Sequence, residues 1–188
     1  LSFVDVDGDG DHDFFAAHSL TAPVNVLYYE NTGSATTPAF TLRTGVNNPL
    51  DSVLHHQNAF QGVDTVYPYR SRANFSFVDY DNDSDIDCFV TIHENPNTTL
   101  GTGFWYYQNQ GTNTNPIYQR ITNPVQDTLG TSSDFRNYPV QFLDVDNDND
   151  FDLHSSRSPH HLYENTGTAS NPVYTNTNIQ LLDSALYV

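Results

Sequence analysis

Apolar residues in this chain come in short runs, each closed by Asn, Thr, Gly, Pro or Asp. Runs of four to seven residues rich in Phe, Tyr, Val and Ile, separated by turn-forming residues, read as β-strands. One kind of run enters an Asp-rich segment (Phe75–Val78, Val140–Leu143) and a second leaves it (Phe14–His18, Cys88–His93). A third ends at an Asn-containing turn (Val24–Glu30, Phe104–Gln108, His161–Glu164). A fourth follows a proline (Phe40–Arg43, Ile117–Ile121, Val173–Asn176). The pattern predicts an all-β protein built from groups of four strands.

Two landmarks recur in fixed order. Phe3-Val4-Asp5-Val6-Asp7-Gly8-Asp9-Gly10-Asp11-His12-Asp13-Phe14 returns at Phe77–Cys88 and again at Phe142–Leu153. Tyr29-Glu30-Asn31-Thr32-Gly33, with Pro38 and Phe40 beyond it, returns as Tyr107–Gly111 with Pro116 and Tyr118. Its third copy is Tyr163–Gly167 with Pro172 and Tyr174. A weaker third landmark is Asp51-Ser52, Asp127-Thr128 and Asp183-Ser184. The acidic segments lie 74 and then 65 residues apart, and fixed internal order at a near-fixed period marks a repeat architecture. The reading gives three repeats, 1–49, 50–124 and 125–188, each a four-stranded antiparallel blade of the β-propeller type. Insertions at Leu54–Tyr69 and Asn95–Gly103 fall between landmarks, where loops belong. Closed propellers typically have about four to eight blades. Three repeats are therefore expected to be completed by other repeats, or by copies of this chain pairing with the Leu1–Val4 and Ile179–Val188 segments. Leu1 is not expected to be the natural start of the protein.

Charge sharpens this picture. The net charge of −17 is concentrated: fifteen of the 23 acidic residues lie in Asp5–Asp13, Asp79–Asp87 and Asp144–Asp152, and the rest of the 188-residue chain is nearly neutral. Five carboxylates within nine residues repel one another strongly unless a cation sits among them. The six basic residues are all Arg and form no stripe, so nucleic acid is not an expected partner. No apolar run approaches the roughly 20 residues that span a bilayer. Cys88 is the only cysteine, which excludes an intrachain disulfide. Its position aligns with Phe14 and Leu153 and reads as core.

Calcium takes six to eight oxygens at roughly 2.3–2.6 Å, and a tight Asp-rich loop supplies them. Numbering each loop from its first Asp, positions 1, 3, 5 and 9 offer carboxylates. These are Asp5, Asp7, Asp9 and Asp13; Asp79, Asp81, Asp83 and Asp87; and Asp144, Asp146, Asp148 and Asp152. Position 7 (Asp11, Asp85, Asp150) is expected to offer its main-chain carbonyl, as in the related EF-hand loop. Position 6 turns sharply, which suits Gly10 and Asn149 and is awkward for Ser84, so the second site is expected to be the most strained. Zinc would want His or Cys, and only His12 lies within a loop. A true EF-hand needs a bidentate Glu at position 12 and flanking helices. Position 12 here is Ala16, Val90 or Ser155.

At these residues the chain resembles the FG-GAP/VCBS repeat family, the calcium-loop repeats of integrin α-subunit propellers and of many secreted bacterial proteins. The loops at Phe3–Asp13, Phe77–Asp87 and Phe142–Asp152 match its Asp-x-Asp-x-Asp-Gly-x-x-Asp pattern, with position 6 departing in two copies. The resemblance implies three Ca2+ sites, one in each loop between a blade's first two strands, and an extracellular or cell-surface location. The FG-GAP tripeptides themselves do not occur.

The expected function is a calcium-stabilised extracellular structural or adhesion module, with other repeats or copies of itself as partners, and no enzymatic activity. The alternative is a carbohydrate- or protein-binding propeller; Trp105, Tyr106 and Tyr107 could form a sugar-stacking platform, but core packing within a strand is the preferred reading of these three. A polysaccharide-active enzyme ranks below both. Asn97 and Asn74 lie in N-glycosylation sequons. The His55-His56 and His160-His161 pairs, with His18, His93 and His154, read as loop and strand-end residues in preference to a transition-metal site.

Overall fold

The computed structural model describes residues 1–18, 25–51, 72–93, 104–122, 138–157 and 160–181, together with Val125 and Phe135. Within them are twelve strands: β1 Ser2–Val4, β2 Asp13–His18, β3 Asn25–Asn31, β4 Phe40–Arg43, β5 Arg72–Val78, β6 Asp87–His93, β7 Phe104–Asn109, β8 Tyr118–Ile121, β9 Val140–Leu143, β10 Asp152–Ser155, β11 His160–Asn165 and β12 Tyr174–Leu181. They form three four-stranded antiparallel sheets in simple up-and-down order, β1–β4, β5–β8 and β9–β12. The all-β class and the three repeated four-stranded units are as the sequence pattern predicts. Each acidic segment joins the first two strands of its sheet, and each Asn-x-Gly turn joins the last two.

The sheets stack in chain order. Phe15, Tyr28, Val26 and Val6 of the first sheet pack against Ala73, Phe75, Cys88, Val90, Trp105, Tyr107 and Tyr118 of the second. The opposite face of the second sheet, carrying Val78, Tyr80, Phe89, Phe104 and Tyr106, packs against Val140, Leu153, Tyr163 and Tyr174 of the third. Neither core holds residues from both the first and third sheets. Strand alternation explains the arrangement: in β6, Cys88 and Val90 point one way and Phe89 the other, and all three are fully buried because both faces are covered.

Backbone carbonyls of each following sheet receive hydroxyl donors from the sheet before. Ser2 Oγ donates to Phe75 O at 2.7 Å, and Ser76 Oγ donates to Val140 O. Among the described residues three connecting residues plug the cores, Leu50 between the first and second sheets, and Val125 and Phe135 between the second and third. Leu50 is set by an Asx-type turn: Asn48 Oδ1 accepts Leu50 N at 3.0 Å, while Asn48 Nδ2 donates to Val26 O at 2.9 Å.

The reading of Cys88 as core holds, and Leu153 beside it in the alignment is equally buried, but Phe14 is only half-buried. The face of the first sheet that carries Phe14 has no sheet stacked on it among the described residues. β1 and β12 are edge strands. Residues 182–188, Asp127-Thr128, Asp183-Ser184, Ser52, and the insertions Leu54–Tyr69 and Asn95–Gly103 lie outside the described residues.

Candidate metal centre

Each acidic segment folds back on itself through its own carboxylates. In the first loop, Asp5 Oδ2 accepts Gly10 N at 3.0 Å and Asp9 Oδ1 accepts Asp11 N at 3.0 Å. The second repeats this with Asp79 Oδ2 and Ser84 N (3.1 Å) and with Asp83 Oδ1 and Asp85 N (3.1 Å). The third does so with Asp144 Oδ2 and Asn149 N (3.2 Å) and with Asp148 Oδ1 and Asp150 N (3.0 Å). The turn requires positive φ at position 6, where Gly10, Ser84 and Asn149 have φ of 93°, 76° and 71°. It requires it equally at position 4, where Gly8, Asn82 and Asn147 have φ of 70°, 61° and 65°. The second requirement was not read from the sequence. Its signal was present, since all three copies carry Gly or Asn at position 4, residues that enter the left-handed region most readily.

This folding gathers the side chains of positions 1, 3 and 5. One carboxylate oxygen from each of Asp5, Asp7 and Asp9 lies within 4.8 Å of the others, and the same holds for Asp79, Asp81, Asp83 and for Asp144, Asp146, Asp148. In the first two clusters, positions 1 and 3 are half-buried; the third cluster is exposed throughout.

Position 7 carries a feature beyond the expected main-chain carbonyl. Asp11, Asp85 and Asp150 are buried, and Oδ1 of each has no hydrogen-bond partner. Asp5 Oδ1 and Asp81 Oδ1 are likewise buried and unpartnered. A carboxylate oxygen shielded from water and left without a partner is destabilising, more so when charged. The three positions share a neighbourhood with the clusters: burial first and then the charge of Asp9, Asp83 or Asp148 raise the pKa values of Asp11, Asp85 and Asp150, that of Asp85 to about 6.

Position 9 is used differently from the expectation. Asp13, Asp87 and Asp152 are buried at the first residues of β2, β6 and β10, and both oxygens of each accept hydrogen bonds. Oδ1 accepts the backbone N–H of the turn asparagine: Asn31 at 2.8 Å, Asn109 at 2.7 Å and Asn165 at 2.8 Å. Oδ2 accepts Tyr28 Oη at 3.1 Å, Tyr106 Oη at 2.6 Å and, where Leu162 replaces the tyrosine, Val145 N at 3.0 Å. Burial pushes the carboxyl of Asp13 up to about 6 and that of Asp87 up to about 7. The asparagine closes its own turn: Asn109 Oδ1 accepts Gly111 N and Ile117 N, both at 2.9 Å, and Asn31 and Asn165 do the same. The two sequence landmarks are thus one physical unit, an acidic loop latched to the following turn by its last aspartate.

Other expected sites fall as follows. Asn74 lies in β5, half-buried, with Nδ2 3.4 Å from Thr91 Oγ1, which makes it a sterically poor sugar acceptor. Asn97 and His55-His56 lie outside the described residues. Trp105, Tyr106 and Tyr107 are buried between sheets, with Arg120 over the Trp105 ring at 5.0 Å, and offer no stacking platform. His154 Nε2 and His160 Nδ1 are 3.2 Å apart with their rings stacked, and His154 Nδ1 lies 3.3 Å from Gln141 Oε1. No helix among the described residues is long and apolar enough to cross a membrane. Comparison with protein families, curated proteins and solved structures finds no match to this chain.

Proposed function

We propose that each acidic loop holds one calcium ion, and that the chain is a calcium-stabilised structural or adhesive repeat module of an extracellular assembly, with blades of the FG-GAP/VCBS propeller type. The observation that carries the metal reading is the set of buried, unpartnered carboxylate oxygens beside three clustered acidic triads, repeated three times in the same backbone setting. Such groups are costly without a cation and favourable with one. The donors are all oxygen, which suits a hard cation, and calcium's tolerance of irregular, high coordination suits a loop crowded with carboxylates better than magnesium's strict octahedron. Positions 1, 3 and 5 supply the core of the ligand set and position 7 adds the buried carboxylate. Position 9 holds the loop to its turn.

The extracellular and adhesive part of the reading rests on the sequence resemblance and on millimolar-range calcium being an extracellular condition for modules of this kind. Calorimetric titration of chelator-treated protein tests the metal. The expected result is three calcium ions per chain, falling to two in Asp83→Ala. No heat of binding in millimolar calcium would remove the metal from the proposal.

A further inference from the structure

Among the described residues no sheet covers the rear of the first sheet or the front of the third, and these two kinds of face pack together at both internal junctions. On the rear face of each sheet, register aligns one row of side chains: Phe77, Cys88, Tyr107 and Arg120 in the second sheet, Phe142, Leu153, Tyr163 and Asn176 in the third. In both, the preceding sheet buries the middle of the row, Cys88 and Tyr107 or Leu153 and Tyr163, and partly covers Phe77 or Phe142, while Arg120 and Asn176 at its end stay exposed. The same row in the first sheet is Phe3, Phe14, Tyr29 and Leu42, with Phe40 beside it. There Phe3 is 60% exposed, Phe40 46% and Leu42 47%, whereas Tyr118 and Tyr174, at the position of Phe40, are buried. On the front faces, Val78, Tyr80, Phe89 and Phe104 of the second sheet are buried by the third. Their counterparts in the third sheet are Leu143, Val145, His154 and His160. Leu143 is 48% exposed and Val145 45%, and the two histidines are half-buried.

We propose that a second copy of this chain docks head to tail, with the front of its third sheet on the rear of the first sheet. Each internal junction is centred on an aromatic pair, Phe15 with Phe77 at 5.1 Å and Phe89 with Phe142 at 4.7 Å. In the intermolecular junction His154 takes the place of Phe15 and Phe89, and meets Phe3. Each internal junction also carries one side-chain donor to a backbone carbonyl, Ser2 to Phe75 and Ser76 to Val140. Gln141 stands at the serine position and Leu1 at the acceptor position, so the Gln141 amide donates to Leu1 O of the neighbouring copy. The contact is heterologous: it uses different surfaces on the two partners, and it propagates as a ring or an open stack. It needs the stacked fold but not the metal reading, so failure here leaves that reading standing.

Sedimentation velocity of the whole chain in calcium, over a wide range of concentration, tests the proposal. The expected result is species at successive multiples of the 21.1 kDa chain mass, growing with concentration. Phe3→Glu blocks the first-sheet surface and His160→Glu the third-sheet surface, and each alone should leave monomer. An equimolar mixture of the two variants should give a two-chain species and nothing larger, because one intact junction remains. Phe40→Glu, on the same rear face at the position where Tyr118 and Tyr174 are buried, stands in for Phe3→Glu should the latter lose its β-sheet circular dichroism. A monomer at every concentration overturns the proposal. So does association abolished by Phe3→Glu but untouched by His160→Glu, which would mean back-to-back pairing.

Discussion

Ser84 is the residue where the requirements of the loop and the chemistry of the side chain conflict most. Its φ of 76° is positive like those of Gly10 and Asn149 at the same position, but serine has neither glycine's freedom nor asparagine's tolerance of the left-handed region. Holding such a residue there costs about 1 kcal/mol. Ser84→Gly is therefore expected to stabilise the chain by about that amount and to tighten calcium binding at the second loop, measured by denaturant unfolding and by titration. Equal or lower stability in calcium would show that the strain is absent. The conflict was legible in the sequence, because a sharp turn at position 6 is visible wherever Gly stands in one copy. The roles of positions 7 and 9 were not. An Asp-x-Asp-x-Asp-x-Asp-x-Asp run is chemically uniform, and only burial distinguishes a carboxylate that faces the loop from one that faces the backbone of a strand 18 or 22 residues later.

That longer-range bond is what turns four strands into a unit. Asn109 donates one hydrogen bond and accepts two: its N–H donates to Asp87 Oδ1, and its Oδ1 accepts Gly111 N and Ile117 N. Asn109→Ala keeps the first and orphans the other two donors, so a loss of about 2–3 kcal/mol is expected in equilibrium unfolding. Gly111→Ala should be at least as damaging. A Cβ there would sit 2.2 Å from Asn115 O and 2.8 Å from Ile117 N, both backbone atoms of the same tight turn. Thr114→Ala, exposed at the tip, serves as the control and should stay within about 0.5 kcal/mol of wild type. If Asn109→Ala behaves like the control, the turn is held by its backbone bonds alone. Eight strands were read from sequence to within a residue at each end, because aromatic runs and turn residues mark them, but β5 begins three residues earlier and β12 ends five residues later than read, and β1 and β10 were not bounded. The plugs Leu50 and Val125 were missed because a single apolar residue after Asn-Pro has no periodicity to announce it.

Across the whole molecule, the second sheet is the one the others depend on. Both its faces are buried, and Cys88, Phe89 and Val90 at its centre have no solvent exposure. The order of stacking was not legible in the sequence: a core covered on both sides shows up as continuous apolar residues in β6, but nothing in that run names the partners. The arrangement makes Cys88 a reporter of global opening, buried in the core between the first and second sheets with its thiol pKa pushed well up by burial. Metal that binds only the folded chain stabilises it by about 2.7 kcal/mol per site at a hundredfold excess over Kd. Three such sites supply an amount comparable to the roughly 5–15 kcal/mol total stability of an ordinary domain. Excess chelator should therefore raise the rate of Cys88 labelling by a thiol reagent at least a hundredfold over that in calcium. Asp83→Ala, which removes a proposed ligand beside the central sheet, should give an intermediate rate in calcium. Each tenfold step corresponds to about 1.4 kcal/mol of opening free energy when closing outpaces labelling, so the rates convert directly into the contribution of the metal. Equal labelling rates in calcium and in chelator would mean that packing alone holds the sheets, and that the acidic loops, whatever they bind, do not stabilise the fold.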